Sequence, residues 1–254
     1  MREAVGLLDD GDIEGLRALL AANPDLTGRR ANFEGENYFR TPTLLAFAAE
    51  NPVRNDSLPP NIVAIAELLI SGTAASDVQE TVGLVASGRV AREAGVQDDL
   101  IALLCRHGAD PDRAVSAALV HGEFGAVAAL RQCGAGMTLP MAAALGEVDQ
   151  ARALLTANSA ERHLATAFAA QHGHAEILAL LLDSGEDPDR YNPVSAHSHS
   201  TPLHQAVGHG HAAAVQTLLA RGARTDLRDT LWNGTPLDWA NHAGRADMVA
   251  LLGD

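Results

Sequence analysis

One phrase in the last fifth of the chain is spoken twice. Thr201-Pro202-Leu203-His204-Gln205-Ala206 is answered, 34 residues later, by Thr235-Pro236-Leu237-Asp238-Trp239-Ala240. The companions of the phrase keep the same spacing. Gly210 and Gly244 stand equally far apart, and each precedes an apolar run: Val215, Leu218 and Leu219 in one copy, Met248, Val249, Leu251 and Leu252 in the other. A period near 33 residues means a stack of small units, each burying its apolar side on its neighbours, in place of one globular core.

The repeated residues resemble the ankyrin repeat, whose signature is T-P-L-H-x-A, a glycine turn, a second helix with a Leu-Leu pair and a closing Gly-Ala, here Gly222-Ala223. The resemblance implies an all-α, ankyrin-repeat solenoid of about eight helix-turn-helix repeats, degenerate in the N-terminal and middle parts. Residues 1–254 then form a single domain. It comprises an acidic capping repeat over 1–27, repeats with insertions over 28–112, short repeats over 113–160, and regular repeats with a C-terminal cap over 161–254.

The departures from regularity are legible. Residues 28–40 are too long for a plain connecting finger. Thr41-Pro42-Thr43-Leu44-Leu45-Ala46 is expected to open a helix with Pro42 at its first position, where the missing N–H costs no hydrogen bond. A loop with three prolines follows over 51–60, and a second helix resumes near Asn61. The next pair runs from about Val78 to His107, interrupted between Gly88 and Gly95. Gly122, Gly146 and Gly173 then come at spacings of only 24 and 27 residues, which leaves both helices but almost no finger.

Composition excludes several classes. With 18 basic against 32 acidic residues the formal charge is −14, which repels a phosphate backbone and argues against nucleic acid. Every basic residue is Arg, so P-loop, Schiff-base and kinase-type lysines are absent. A GC-rich coding sequence is the expected cause of that bias and points toward a bacterial source. Cys105 and Cys133 lack metal or redox spacing and read as free thiols in second helices. No apolar run approaches the ~18 residues of a membrane span, and the start of the chain turns acidic too early for a secretory signal. The expectation is a cytoplasmic monomer with no cofactor and no membrane contact.

Nine of the eleven histidines fall between His163 and His242. His204 holds the T-P-L-H position, and His174 and His211 open second helices; the resemblance implies structural roles for all three. His172 and His209, near the ends of first helices, suit the helix dipole. His197, His199 and His242 are left over. In an extended segment His197 and His199 would leave the same side of the chain. A metal reading joins His197 and His199 to Asp229; a catalytic reading uses His204, Asp229 and Asp238 as acid and base.

The reading adopted is a protein-protein interaction module that binds through its concave face and finger loops, with Phe33, Tyr38, Tyr191, His197, His199 and Trp232 as contact residues. Rings on fingers make interface anchors, and the acidic balance implies a partner with a basic surface. The alternative is an enzyme or small-ligand binder built on the His/Asp set. Trp239 is expected to pack within the last repeat.

Overall fold

In the computed structural model, residues 1–32 and 41–253 are described. Among them the chain is helical, with a lone antiparallel bridge between Arg30 and Thr43 and no strand pairing beyond it. The chain divides into two compact units, Met1–Gly136 and Met137–Asp254.

The second unit holds four helix pairs: α9 (Leu139–Leu145) with α10 (Val148–Ala153), α11 (Ser159–Gln171) with α12 (Ala175–Asp183), α13 (Pro202–His209) with α14 (Ala212–Ala220), and α15 (Pro236–His242) with α16 (Ala246–Leu252). Local chemistry starts and stops each first helix. Thr138 caps α9 by accepting the Met141 N–H, and Asn158 caps α11 by accepting that of Glu161. Thr201 and Thr235 form reciprocal capping boxes with His204 and Asp238, with proline at the first helical position. Gly146 and Gly210, at φ 75° and 77°, end α9 and α13 in the left-handed conformation that a side chain would resist.

Successive repeats are latched by one recurring bond. His174 Nε2 donates to the Ala144 carbonyl at 2.9 Å, and His211 Nε2 to that of Gln171 at 2.9 Å. In the last repeat Arg245 takes the same place and its Nε donates to Gly208 O at 3.1 Å. Each acceptor lies two residues before a turn glycine, so the latch satisfies a carbonyl that the helix end leaves open. Between the latches the apolar stripes Ile177, Leu178, Leu181 and Val215, Leu218 meet Leu203, Ala206, Val207 and Ala240 in one buried cluster. Burying each such leucine contributes about 1.5–3 kcal/mol.

The first unit also holds four pairs, less regular: α1 (Arg2–Asp9) with α2 (Ile13–Ala22), a 3₁₀ turn (Leu45–Ala49) with α3 (Ile62–Ile70), α4 (Ala75–Ala86) with α6 (Gln97–Arg106), and α7 (Asp112–Val120) with α8 (Phe124–Gln132). The expected interruption between Gly88 and Gly95 contains a short helix, α5 (Arg89–Glu93). Cys105, in α6, and Cys133, capping α8, are free thiols, with Cys105 pushed up to about 12 by burial and then by its bond to Cys133.

Pro42 does not begin a helix. Ala31 N–H donates to its carbonyl at 2.8 Å and Thr43 pairs with Arg30, which holds 42–43 as a strand-like contact, so winding starts only at Leu45 and stays in the tighter 3₁₀ form. That turn ends on Glu50, a left-handed residue at φ 46° where a glycine is usual. Glu50 is buried and holds the following loop: its carboxylate accepts the backbone N–H groups of Arg54 (2.6 Å), Asn55 and Asp56 (3.3 Å). The Arg54 guanidinium pairs with Glu50 at 2.8 Å and with Asp9 at 2.9 Å, and lies 4.7 Å over the Phe47 ring.

Candidate functional site

Two fingers of the second unit, residues 187–200 and 224–235, lie against each other. Tyr191 Oη donates to the Arg228 carbonyl, Thr230 N–H donates to His199 O at 2.8 Å, and Arg224 N–H donates to Asp189 Oδ1 at 2.8 Å.

Asp229 builds the second finger. Its side chain, 2 % exposed, accepts the N–H groups of Leu231 (2.9 Å) and Trp232 (2.7 Å) on Oδ1, and those of Gly234 (2.9 Å) and the Trp239 indole (3.0 Å) on Oδ2. Burial alone would raise this acid. The Trp232 amide, the Trp239 indole and the Gly234 and Leu231 amides outweigh it and hold the group at about 2. With all four donors fixed on it, the carboxylate is a turn organiser and has no free position for a proton or a metal.

His204 is fully buried, at 0 % exposure. Nε2 faces the Gly234 carbonyl at 3.1 Å, which can only accept, so the proton sits there; Nδ1 accepts the Thr201 N–H at 3.3 Å. Desolvation lowers its pKa and keeps the ring neutral. Asp238 uses Oδ2 to accept both the N–H and the hydroxyl of Thr235 at 2.9 Å, and these bonds hold its carboxyl below the usual range. The three groups of the catalytic reading thus fix the start of α13, the finger and the start of α15. Among the described residues no set of three or more His, Cys, Asp or Glu side chains is arranged to hold a metal ion.

The leftover histidines do converge, by a different route from the one expected. Residues 193–200 are not extended: Ala196 N–H closes a turn on Pro193 O (2.8 Å) and Ser200 N–H closes another on His197 O (3.1 Å), with His197 itself at φ 59°. Two successive turns, and not strand alternation, bring the His197 and His199 rings to 5.9 Å, edge to face. His199 lies edge-on to Trp232 at 5.4 Å and stacked with Trp239 at 5.9 Å, and the two indoles stand 5.8 Å apart at 65°. Below them is a groove of about 730 Å³, whose wall includes His197, His199, Trp232, Trp239, Asp238 and His242. Trp232 is 70 % exposed and its neighbour Leu231 63 %.

Of the expected contact residues, His197, His199 and Trp232 share this groove. Tyr191 is on the first finger and its hydroxyl is spent on Arg228. Phe33 and Tyr38 lie outside the described residues. Trp239 packs within its own repeat, as expected, through Asp229 and Gly234, and it also lies across the preceding repeat, where a methyl group on Gly208 would stand 3.1 Å from the ring. The signal was present as a large-for-small complement: a tryptophan in a helix whose partner offers glycine at 208 and whose own finger offers glycine at 234.

A family model for ankyrin repeats, in three copies, matches residues 167–254. The chain is 33 % identical over 119 residues to the human protein named cyclin-dependent kinase 4 inhibitor B, which covers 45 % of this chain and 83 % of the inhibitor. It is 33 % identical over 121 residues to human cyclin-dependent kinase inhibitor 2A, covering 45 % and 74 % of the two chains. A rice protein (Oryza sativa subsp. japonica) named "Probable E3 ubiquitin-protein ligase XBOS32" is 34 % identical over 142 residues, 53 % of this chain; the match spans 27 % of the rice protein's length. With the latched helix pairs and capped Thr-Pro starts, these matches place the chain in the ankyrin-repeat family.

Proposed function

We propose that this ankyrin-repeat chain is a protein-protein interaction module and that the finger groove of its second unit holds the partner. The observation that carries the reading is Trp232: a large apolar ring left mostly in water, on a finger whose backbone is pinned by one buried carboxylate. A pre-ordered anchor loses little freedom on binding, and buried aromatic anchors dominate interface energies. The human relatives are, by name, inhibitors of kinases, proteins that act on proteins. Residues 1–254 as one ankyrin domain, Tyr191, Phe33 and Tyr38 as further contacts, a basic partner surface, a monomer, a cytoplasmic location and a bacterial source belong to the same reading. Location and source rest on composition alone; among the described residues no helix is long and apolar enough to cross a membrane, and the relatives named above are eukaryotic.

The test is a quantitative capture from a lysate of the source organism, comparing wild type with the Trp232→Ala, His199→Ala double variant. Loss of specific proteins with helix content unchanged supports the groove as the contact; identical capture by both removes it.

A further inference from the structure

We infer that the groove receives an arginine side chain from the partner protein, its guanidinium resting on the Trp232 and Trp239 rings and pairing with Asp238. The inference rests on the protein-binding reading above and adds the chemistry that this groove selects.

Three features of the wall agree on a planar cation. The two indoles meet at 65° with centroids 5.8 Å apart, and Trp232 leaves most of its surface open; an aromatic face attracts a cation within about 6 Å of its centroid. Asp238 lies on the wall, ionised, with both Thr235 bonds on Oδ2. Finally, the wall contains no arginine of its own, and the chain no lysine.

The charged and titratable groups facing Asp238 are few. His197, His199, His209 and His242 line the same space. Arg228 comes within 3.8 Å of Asp238 Oδ2 from the finger side, but its Nη1 is given to the Asn233 carbonyl at 2.6 Å. An anionic guest would meet the Asp238 carboxylate. Guanidinium is favoured over ammonium because it can stack flat on an indole while its edge pairs with a carboxylate. The groove, at about 730 Å³, also has room for the backbone on either side of that residue.

Both tryptophans of the chain are in this groove, so tryptophan emission reports on it. The full chain is titrated, by emission and by calorimetry, with the peptide acetyl-Gly-Gly-Arg-Gly-Gly-amide, with its lysine and citrulline counterparts, and with free L-arginine. Citrulline keeps the shape and removes the charge. The arginine peptide is expected to bind at least about tenfold more tightly than the citrulline peptide, with lysine between them. Trp232→Ala and Asp238→Asn should each weaken the arginine peptide by about tenfold. Asparagine can still accept from Thr235, and Trp232 is exposed, so circular dichroism should be unchanged. Should Asp238→Asn unfold, Trp232→Ala decides alone. Equal affinity for arginine and citrulline peptides, no saturation by any peptide at millimolar concentration, or insensitivity to Trp232→Ala would each overturn the inference. Free arginine binding as tightly as the peptide would also overturn it, by assigning the groove to a small cation. If the peptides fail while the double variant still loses its captured proteins, the guanidinium inference falls and the protein-binding reading survives. If both fail, both fall.

Discussion

Glu50 in the first unit and Asp229 in the second solve the same problem with different partners. Each is a buried carboxylate that gathers the backbone N–H groups of the residues just after it and so shapes an irregular loop. Glu50 is neutralised by a guanidinium, Arg54, which is itself shared with Asp9. Asp229 is held by three backbone amides and an indole N–H in place of a guanidinium. The contrast shows that a pinned loop need not be a binding loop. The Glu50 loop turns its arginine inward over Phe47, whereas the Asp229 finger turns a tryptophan outward.

The comparison can be broken at its strongest point first. Asp229→Ala removes four charge-assisted hydrogen bonds at once and should lower the stability of the second unit by about 4 kcal/mol, read as a fall in the urea midpoint followed by tryptophan emission. Glu50→Gln keeps an acceptor for the backbone but leaves Arg54 leaning on Asp9, so a loss of about 2 kcal/mol is expected. That loss should be measured by helix content, since the emission transition belongs to the second unit. An Asp229 variant no worse than the Glu50 variant would mean that the indole and amides are easily rehydrated.

Acid should separate the two units as well. Desolvation, the first cause in each case, lowers the pKa of His163, His204 and His211, all in the second unit. Their unfolded forms take up protons near the ordinary value of about 6.5, while the folded forms resist. The stability tied to these neutral rings is therefore complete above about pH 6.5 and declines as pH falls below it. Asp229 works on a lower window: its contribution is complete above the ordinary carboxylate value and is lost only as pH falls toward about 2. The emission-detected midpoint should thus drop between pH 7 and 5, and His204→Gln should flatten that slope; an unchanged slope would place the protonation elsewhere. The smallest effect is expected from Trp232→Ala, within about 0.5 kcal/mol of wild type, because a mostly exposed ring contributes little to the fold.

The helix pairs were legible because their signals are local. Thr201-Pro202 and Thr235-Pro236 carry cap and first-turn chemistry in adjacent letters, and the leucines repeat at three and four. Pro42 carries the same letters and does not start a helix, since its fate is settled by Arg30, twelve residues away and invisible to a local pattern. The groove was half legible. The surplus of histidines marked His197, His199 and His242, but their convergence depends on two turns with His197 at positive φ, which no side-chain alternation encodes. Asp229 looked like a possible acid or ligand because a buried carboxylate and a free one are spelled alike; only the four donors around it distinguish them.

The latch from His174, His211 and Arg245 back to the carbonyls at 144, 171 and 208 bears on how such a chain could lengthen. The repeats of α11 and α13 each carry a donor at the front of the second helix and offer an acceptor to the repeat that comes next. A copied repeat inserted in frame would arrive with one hand already extended and one waiting to be taken, so growth by whole repeats disturbs no bond. Cutting within a repeat would strand a donor on one side and a carbonyl on the other.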